Sequence, residues 1–172
     1  MTIVSDTNIL SSLAAANAFG ELQRLFTRST VSIPPAVRDE LQVAVDRGRI
    51  YLDIVITAIA VGDIPVLALT DAERTLLSTL PRRLNAGECE AIAICQQRHV
   101  PLLSNDRRAV RYCQANSIDV VDLPAILRLF WTRQLTTRAN VEQLIIRMEQ
   151  IERLMLSDEQ RAAIFAPQRR RR

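Results

Sequence analysis

The chain of 172 residues is long enough to bury one core but short for two, and its 48% hydrophobic and 24% charged residues are typical of a soluble globular protein. The net charge of +3 depends on the four arginines at residues 169–172. Without them, 18 basic residues face 19 acidic ones. The body of the chain is therefore not a basic nucleic-acid-binding surface by charge alone. No apolar run reaches the ~18 to 20 residues of a membrane span, and the start lacks the features of a secretory signal, so we expect a cytoplasmic protein that does not cross a membrane.

Short apolar runs alternate with helical patterns over roughly the first 120 residues. These runs are the predicted strands, at residues 2–5, 31–33, 101–104 and 118–121. The alternation is typical of a sheet with crossover helices, so we predict the α/β class. The intervening helices have recognisable starts at Pro34-Pro35, at the capping box of Thr70 and Glu73, and at Asn85. Residues 50–69 alternate only weakly and predict a strand followed by a loop.

From residue 122 onward the pattern is entirely helical. The helix predicted over about 138–155 carries one apolar stripe, formed by Val141, Leu144, Ile145, Met148, Ile151 and Leu154. The stripe must be buried, either against the flank of the same chain or in the interface of a homo-oligomer. We therefore predict a domain at residues 1–135 and a helical C-terminal extension at 136–172. The extension ends in the arginines at 169–172, which we expect to form a mobile cationic tail.

Two aspartates follow predicted strands. Asp6 comes directly after the first strand, and Asp106 follows the strand at 101–104. In open parallel sheets, residues just past the carboxyl ends of strands face the crevice where ligands bind. An aspartate at such a turn is also an ordinary helix N-cap, so either residue alone could be structural.

Glu40 lies on the apolar side of its predicted helix, with Ala36, Val37, Val43 and Ala44 as its neighbours on that face. A carboxylate on a buried stripe costs several kcal/mol unless it is paired, protonated or bound to a metal. The alternative is a glutamate at the edge of the stripe whose carboxylate reaches water.

Glu88 and Glu90 open a helix that is apolar nearly all round. Two residues of separation place them about 200° apart around the helix axis, so only one can face the crevice. Glu88 stands three residues after Asn85 and can complete a capping box, whereas Glu90 has no such local task. This difference favours Glu90 as the functional residue and leaves Glu88 as the less favoured ligand.

The available side chains favour oxygen chemistry. The chain has one histidine, His99, and three cysteines without a Cys-x-x-Cys pair, so zinc sites and Ser-His-Asp triads have little support. Several carboxylates in one pocket repel each other unless a divalent cation neutralises them, and oxygen ligands favour magnesium or manganese. Two such ions ~4 Å apart could drive phosphodiester hydrolysis.

Four segments of the sequence together resemble, in order, the acidic motifs of PIN domains, in the prokaryotic branch related to toxin ribonucleases. The segments are Ile3-Val4-Ser5-Asp6-Thr7-Asn8, Ile33-Pro34-Pro35-Ala36-Val37-Arg38-Asp39-Glu40-Leu41, Leu84-Asn85-Ala86-Gly87-Glu88-Cys89-Glu90-Ala91-Ile92-Ala93-Ile94 and Leu102-Leu103-Ser104-Asn105-Asp106. The resemblance covers roughly residues 1–135, and the helices from about 136 onward exceed the compact toxin pattern.

The resemblance implies a central parallel sheet between helices and a metal-dependent endoribonuclease that leaves 5′-phosphate and 3′-hydroxyl ends. By position, the acidic ligands of magnesium or manganese would be Asp6, Glu40, Glu90 and Asp106. Asn8 and Ser104 would support them through hydrogen bonds, although Asn8 could equally be a turn residue. RNA would be the substrate, and a small antitoxin protein would be the partner if the chain is a toxin.

Two alternatives remain open at the level of sequence. A PIN-like module without catalysis could bind RNA or a protein, with any metal as a structural ion. A DNA nuclease would use the same acids, because the contacts that recognise the 2′-hydroxyl of RNA are not visible in a sequence.

Overall fold

The computed structural model describes residues 1–166, and in this part of the chain four parallel strands form one sheet with the order β2-β1-β3-β4. The strands are β1 (Thr2–Ser5), β2 (Thr30–Ser32), β3 (Leu102–Leu103) and β4 (Val120–Val121). The chain passes from β1 to β2 on one side of the sheet and then returns to place β3 on the other side of β1. The carboxyl ends of β1 and β3 therefore flank the switch point where open parallel sheets bind ligands.

Helices surround this sheet, so the predicted α/β class with a central parallel sheet is confirmed. They are α1 (Thr7–Ala15), α2 (Phe19–Leu25), α3 (Pro35–Asp46), α4 (Asp53–Val61), α5 (Asp71–Leu77), α6 (Ala86–Arg98), α7 (Arg107–Ala115), α8 (Leu123–Thr132), α9 (Arg138–Glu152) and α10 (Asp158–Phe165). No helix of the described chain is long and apolar enough to span a membrane.

The predicted helix starts are confirmed in detail. Pro35 occupies the first turn of α3, and reciprocal capping boxes open α5 at Thr70 and α6 at Asn85. In each box the N-cap side chain accepts a hydrogen bond from a backbone N–H, while the glutamate three residues later accepts one from the N-cap N–H. These local signals fix where the helices that carry the candidate acids begin.

The strand predicted within residues 50–69 is wrong. A short 3-10 helix (Ile50–Leu52) leads into α4 instead. Leu52, Val55 and Ala58 are buried at three-residue steps, which is a helical spacing. The packing of this face against the core outweighs the strand preference of the β-branched residues in the segment.

The C-terminal helices complete the main core. Val141, Ile145 and Met148 of α9 are buried in the same apolar cluster as Leu10 of α1, and Ile164 of α10 joins it. Most of the predicted stripe therefore covers the flank of its own chain, which was one of the two predicted arrangements, whereas Ile151 is 49% exposed. The division into residues 1–135 and 136–172 stays a prediction, and the arginines at 169–172 lie outside the described residues.

Candidate functional site

Asp6 lies at the carboxyl end of the central strand β1 and is 2% exposed. As the N-cap of α1, its Oδ1 accepts a hydrogen bond from the amide of Ile9 at 2.9 Å. Its Oδ2 accepts one from the Ser104 hydroxyl at 2.6 Å. Asp6 therefore combines the N-cap role that its sequence position allowed with a place at the switch point of the sheet.

Ser104 connects the two aspartates. Its hydroxyl donates to Asp6, and its Oγ accepts a hydrogen bond from the amide of Asp106 at 3.2 Å. Asp106 is itself the N-cap of α7, with Oδ1 accepting from the amides of Arg108 and Ala109. The serine predicted to support the aspartates is thus completely buried between them.

Glu40 reaches the same end of the sheet from α3. Its Oε2 accepts a hydrogen bond from the Thr7 hydroxyl, and its Oε1 accepts one from the amide of Gly87 at 3.1 Å. The predicted apolar face is only partly buried, because Val37 is fully buried whereas Val43 is 45% exposed. The position of Glu40 is therefore set by hydrogen bonds from α1 and α6 as well as by its helix face.

Thr7 and Gly87 hold Glu40 although neither was a predicted site residue. Gly87 lies in the first turn of α6, where a side chain would otherwise be tolerated, and a glycine inside a helix often marks a close approach of another group. A Cβ atom at this position would lie 2.9 Å from both carboxylate oxygens of Glu40. That glycine was the available signal, whereas nothing in the sequence singled out Thr7.

Glu88 completes the capping box of α6 and also faces the other acids. It is 7% exposed, and its Oε2 accepts a hydrogen bond from the Asn85 amide at 3.0 Å. Burial raises the pKa of Glu88, and the nearby negative charges of Asp106 and Glu40 raise it further. One glutamate therefore serves both the helix cap and the acidic cluster.

Glu90 has a different contact on the other side of α6. Its Oε2 accepts a hydrogen bond from the backbone amide of Ala36 at 2.8 Å. Because Pro34 at the N-cap of α3 supplies no side-chain hydrogen bond, Glu90 satisfies a free N–H group in the first turn of that helix. The two glutamates point apart, as the helix phase required, and the structure brings Glu88 rather than Glu90 beside Asp6.

Charge repulsion and burial act together on Asp6. Burial raises the pKa of Asp6 to about 6, and the Glu88 carboxylate adds to this increase. The hydrogen bonds from Ser104 and Ile9 act in the opposite direction. The negative charge of Asp6 is therefore costly near neutral pH unless a cation compensates it.

A cavity of about 70 Å³ opens between these groups, and its lining consists of Asp6, Thr7, Asn8, Glu40, Asn85 and Glu88. Within residues 1–166, no three histidine, cysteine, aspartate or glutamate side chains stand close enough together to hold a metal ion as they are placed. The carboxylates of Asp6, Glu40 and Glu88 in this lining can bind a metal through oxygen, the ligand atom that magnesium and manganese prefer. The site thus has suitable chemistry for such an ion, although its carboxylates are occupied by protein hydrogen bonds.

Comparisons with known proteins bear on this arrangement. A family model described as DUF3368, a PIN domain, matches residues 2–167 and so includes the C-terminal helices. The fold is similar to the crystal structure of VapBC2 from Rickettsia felis bound to a DNA fragment from their promoter. That likeness has a TM-score of 0.56 and 13% sequence identity, and it covers 71% of this chain and 98% of the other. The comparison with curated proteins finds no significant match.

Proposed function

The chain belongs to the PIN-domain family, and from that premise we propose that it is a metal-dependent endoribonuclease. PIN domains are generally nucleases, and they usually use divalent metal ions. The observation that carries the proposal is the buried carboxylate of Asp6 at the switch point of the sheet. It interacts electrostatically with Glu88, which in turn interacts with Glu40 and Asp106. Four mutually repelling acids destabilise a fold unless they serve a cation.

We propose Asp6, Glu40, Glu88 and Asp106 as the ligands of magnesium or manganese. Glu88 replaces Glu90 in this set because it lines the cavity, whereas the Glu90 carboxylate caps α3. Asp106 does not line the cavity, but Ser104 joins it to Asp6 and it interacts electrostatically with Glu88. Small movements of the four side chains would exchange protein hydrogen bonds for a bound ion. Divalent ions at such a site supply an activated water and stabilise the leaving oxygen of a phosphodiester.

The remaining polar residues would orient the ligands and the substrate. Ser104 holds Asp6, and its Oγ also accepts from the Asp106 amide, while Thr7 and the Gly87 amide hold Glu40. Asn8 lines the cavity, and within residues 1–166 its side chain makes no hydrogen bond, so its amide is free to contact a substrate phosphate. These hydrogen bonds keep Asp6 and Glu40 beside the cavity, from which small side-chain movements would bring them onto a bound ion.

RNA is the proposed substrate, and the products would carry 5′-phosphate and 3′-hydroxyl ends. The fold neighbour is a VapBC complex, so we also propose that a small antitoxin-like protein binds this chain and controls it. The nuclease proposal does not depend on that partner, because the candidate acids lie within one chain.

A binding module without catalysis is the second candidate. It is favoured by one observation, namely that the acids are satisfied by protein hydrogen bonds and that no three of them are close enough to hold an ion as placed. Such a module would bind RNA but leave it intact under all metal conditions.

Incubation of the purified chain with end-labelled single-stranded RNA separates the two candidates. We expect cleavage with added magnesium or manganese, no cleavage after addition of EDTA, and recovery when the metal is restored in excess. Bound but intact RNA with manganese, across substrates of varied sequence, would favour the binding module.

A further inference from the structure

Five exposed arginines lie in the two chain segments next to Asn85 and Asp106, and we name them the arginine rim. Arg82 and Arg83 precede Asn85, the N-cap of α6, and Arg107, Arg108 and Arg111 belong to α7. The rim borders the cavity through two neighbours, because Asn85 lines the cavity and Asp106 directly precedes Arg107. None of the five arginines has been given a role in the proposed catalysis.

A hydrogen bond joins the two segments that carry the rim. The Arg108 side chain donates a hydrogen bond from Nη1 to the carbonyl oxygen of Arg83 at 3.0 Å, which ties the start of α7 to the segment before α6. Arg107 and Arg111 are four residues apart on α7 and therefore lie on the same face of that helix. Arg108 also interacts electrostatically with Glu88 in the cavity. Arg108 thus links the rim to the acidic cluster.

No carboxylate of residues 1–166 forms an ion pair with any arginine of the rim. Elsewhere in the described chain, ion pairs involve Arg24, Arg38, Arg49, Arg98, Arg138 and Arg161. Four rim arginines also lie next to the N-terminal ends of α6 and α7, where the helix dipole disfavours positive charge. The cluster therefore gives the fold little stability, and an anionic partner would account for it better.

The positive charge is local rather than general. Without the arginines at 169–172, the chain has 18 basic and 19 acidic residues, so the body as a whole does not attract a polyanion. A guanidinium group matches the geometry of a phosphate with two parallel hydrogen bonds and stays charged at any physiological pH. An unpaired group of them beside a proposed phosphodiesterase site is suited to successive phosphates of one strand.

We infer that the arginine rim binds the backbone phosphates of single-stranded RNA and leads one phosphodiester into the carboxylate cavity. This inference rests on the proposed nuclease function and deepens it by assigning the approach path of the substrate. A single strand is favoured because its flexible backbone can bend from one arginine-bearing segment to the other.

The test compares two triple variants of the full chain that lose the same charge. The rim variant is Arg82→Gln, Arg107→Gln and Arg111→Gln. The control variant is Arg28→Gln, Arg47→Gln and Arg133→Gln, three exposed arginines without ion pairs in the described chain that line neither the rim nor the cavity. Binding of labelled single-stranded RNA is measured by fluorescence anisotropy in EDTA at several potassium chloride concentrations, and circular dichroism verifies that both variants fold.

We expect the rim variant to reduce the slope of log affinity against log salt by up to ~2, because each phosphate contact on a single strand contributes about 0.7. The control variant should keep the slope of the unmodified chain. Equal slopes for both variants would overturn the inference.

Cleavage of the same RNA by the unmodified chain with manganese is measured in parallel. Cleavage with an unchanged slope refutes the rim alone, whereas a reduced slope without cleavage supports the rim and refutes the nuclease proposal.

Discussion

The carboxylate of Glu40 lies directly against the backbone of Gly87. The Gly87 amide donates a hydrogen bond to Oε1 of Glu40 at 3.1 Å, and a Cβ atom on Gly87 would lie 2.9 Å from both carboxylate oxygens. Real Cβ atoms do not approach oxygen so closely, so a side chain at residue 87 requires the carboxylate to move. The glycine thus sets the position of a proposed metal ligand that is distant in sequence.

We expect Gly87→Ala to lower RNA cleavage by about 10- to 100-fold, because a displacement of the order of 1 Å at a reacting group has an effect of that size. Stability should change little, since the flexible end of Glu40 can move aside and alanine is favoured over glycine in a helix by about 0.5–1 kcal/mol. Gly20→Ala is the matched control. Gly20 occupies the equivalent second position of its helix α2, and a Cβ there meets nothing within 4 Å.

Cleavage assays and thermal unfolding of both glycine variants show whether the contact between Gly87 and Glu40 serves catalysis or the stability of the fold. Equal activity of Gly87→Ala and Gly20→Ala would show that the position of Glu40 is irrelevant to catalysis. A large loss of stability in Gly87→Ala would show instead that the contact serves the fold.

Glu88→Gln and Glu90→Gln should differ in activity. Glutamine keeps an oxygen that can accept from the Asn85 amide in Glu88→Gln and from the Ala36 amide in Glu90→Gln, so both variants should fold. Only Glu88→Gln removes a charge from the cavity, so it should lower cleavage by at least 100-fold, while Glu90→Gln should stay within a few-fold of the unmodified chain. Measured rates at saturating manganese with the opposite ranking would restore Glu90 as the ligand.

The sequence predicted that only one of these glutamates could face the crevice, and the structure agrees on their geometry. The preference for Glu90 rested on the capping task of Glu88, and which of the two binds an ion stays a prediction. Glu88 caps α6 and also lines the cavity, because the first turn of α6 begins at its edge. The contact of Glu90 with the amide of Ala36 spans 54 residues, so no local pattern could reveal it.

Other parts of the fold also divide into elements that local sequence predicted and elements that depend on distant contacts. Helix starts were predictable because capping depends on residues three positions apart, as for Thr70 and Glu73. The positions of Asp6 and Ser104 at strand ends also followed from the strand pattern. The helix α4 did not, because its β-branched residues favour a strand locally and only burial of Val55 against the distant core reverses that preference.

The contribution of Asp6 to the stability of the metal-free protein should fall as pH rises from about 4 to 6. Because burial raises the pKa of Asp6 from 3.8 to about 6, the folded state keeps a proton that the unfolded state has already released. Stability from this group is therefore present below pH 4 and lost above pH 6, a change of about 3 kcal/mol. The raised pKa of Glu88 acts in the same direction.

Asp6→Asn is the comparison, since it keeps the shape of the side chain and removes the titration. Urea unfolding in EDTA at several pH values should show the unmodified chain losing stability relative to Asp6→Asn between pH 4 and 6. Groups that do not interact with Asp6 contribute equally to both proteins and cancel in this difference. If the difference in unfolding free energy between the two proteins does not change with pH, the raised pKa of Asp6 is contradicted.

Met148→Ala should lower the free energy of unfolding by about 2–5 kcal/mol, because Met148 of α9 is completely buried in the main core. Ile146→Ala on the same helix is the control, since Ile146 is 41% exposed and should change stability by no more than about 0.5 kcal/mol. Urea unfolding of both variants measures the difference. Equal effects would show that α9 does not pack on the main core in solution.

The most direct test of the account measures cleavage and metal binding on the same preparations of the unmodified chain and of Asp6→Asn. We expect the unmodified chain to cut single-stranded RNA with manganese and its melting temperature to rise with manganese concentration by mass action. Asp6→Asn should stay folded, show a smaller rise in melting temperature and cut RNA more slowly by orders of magnitude. Equal cleavage by the two proteins, or no cleavage together with no metal-induced stabilisation of the unmodified chain, would contradict the assignment of this carboxylate site as a metal-dependent nuclease centre.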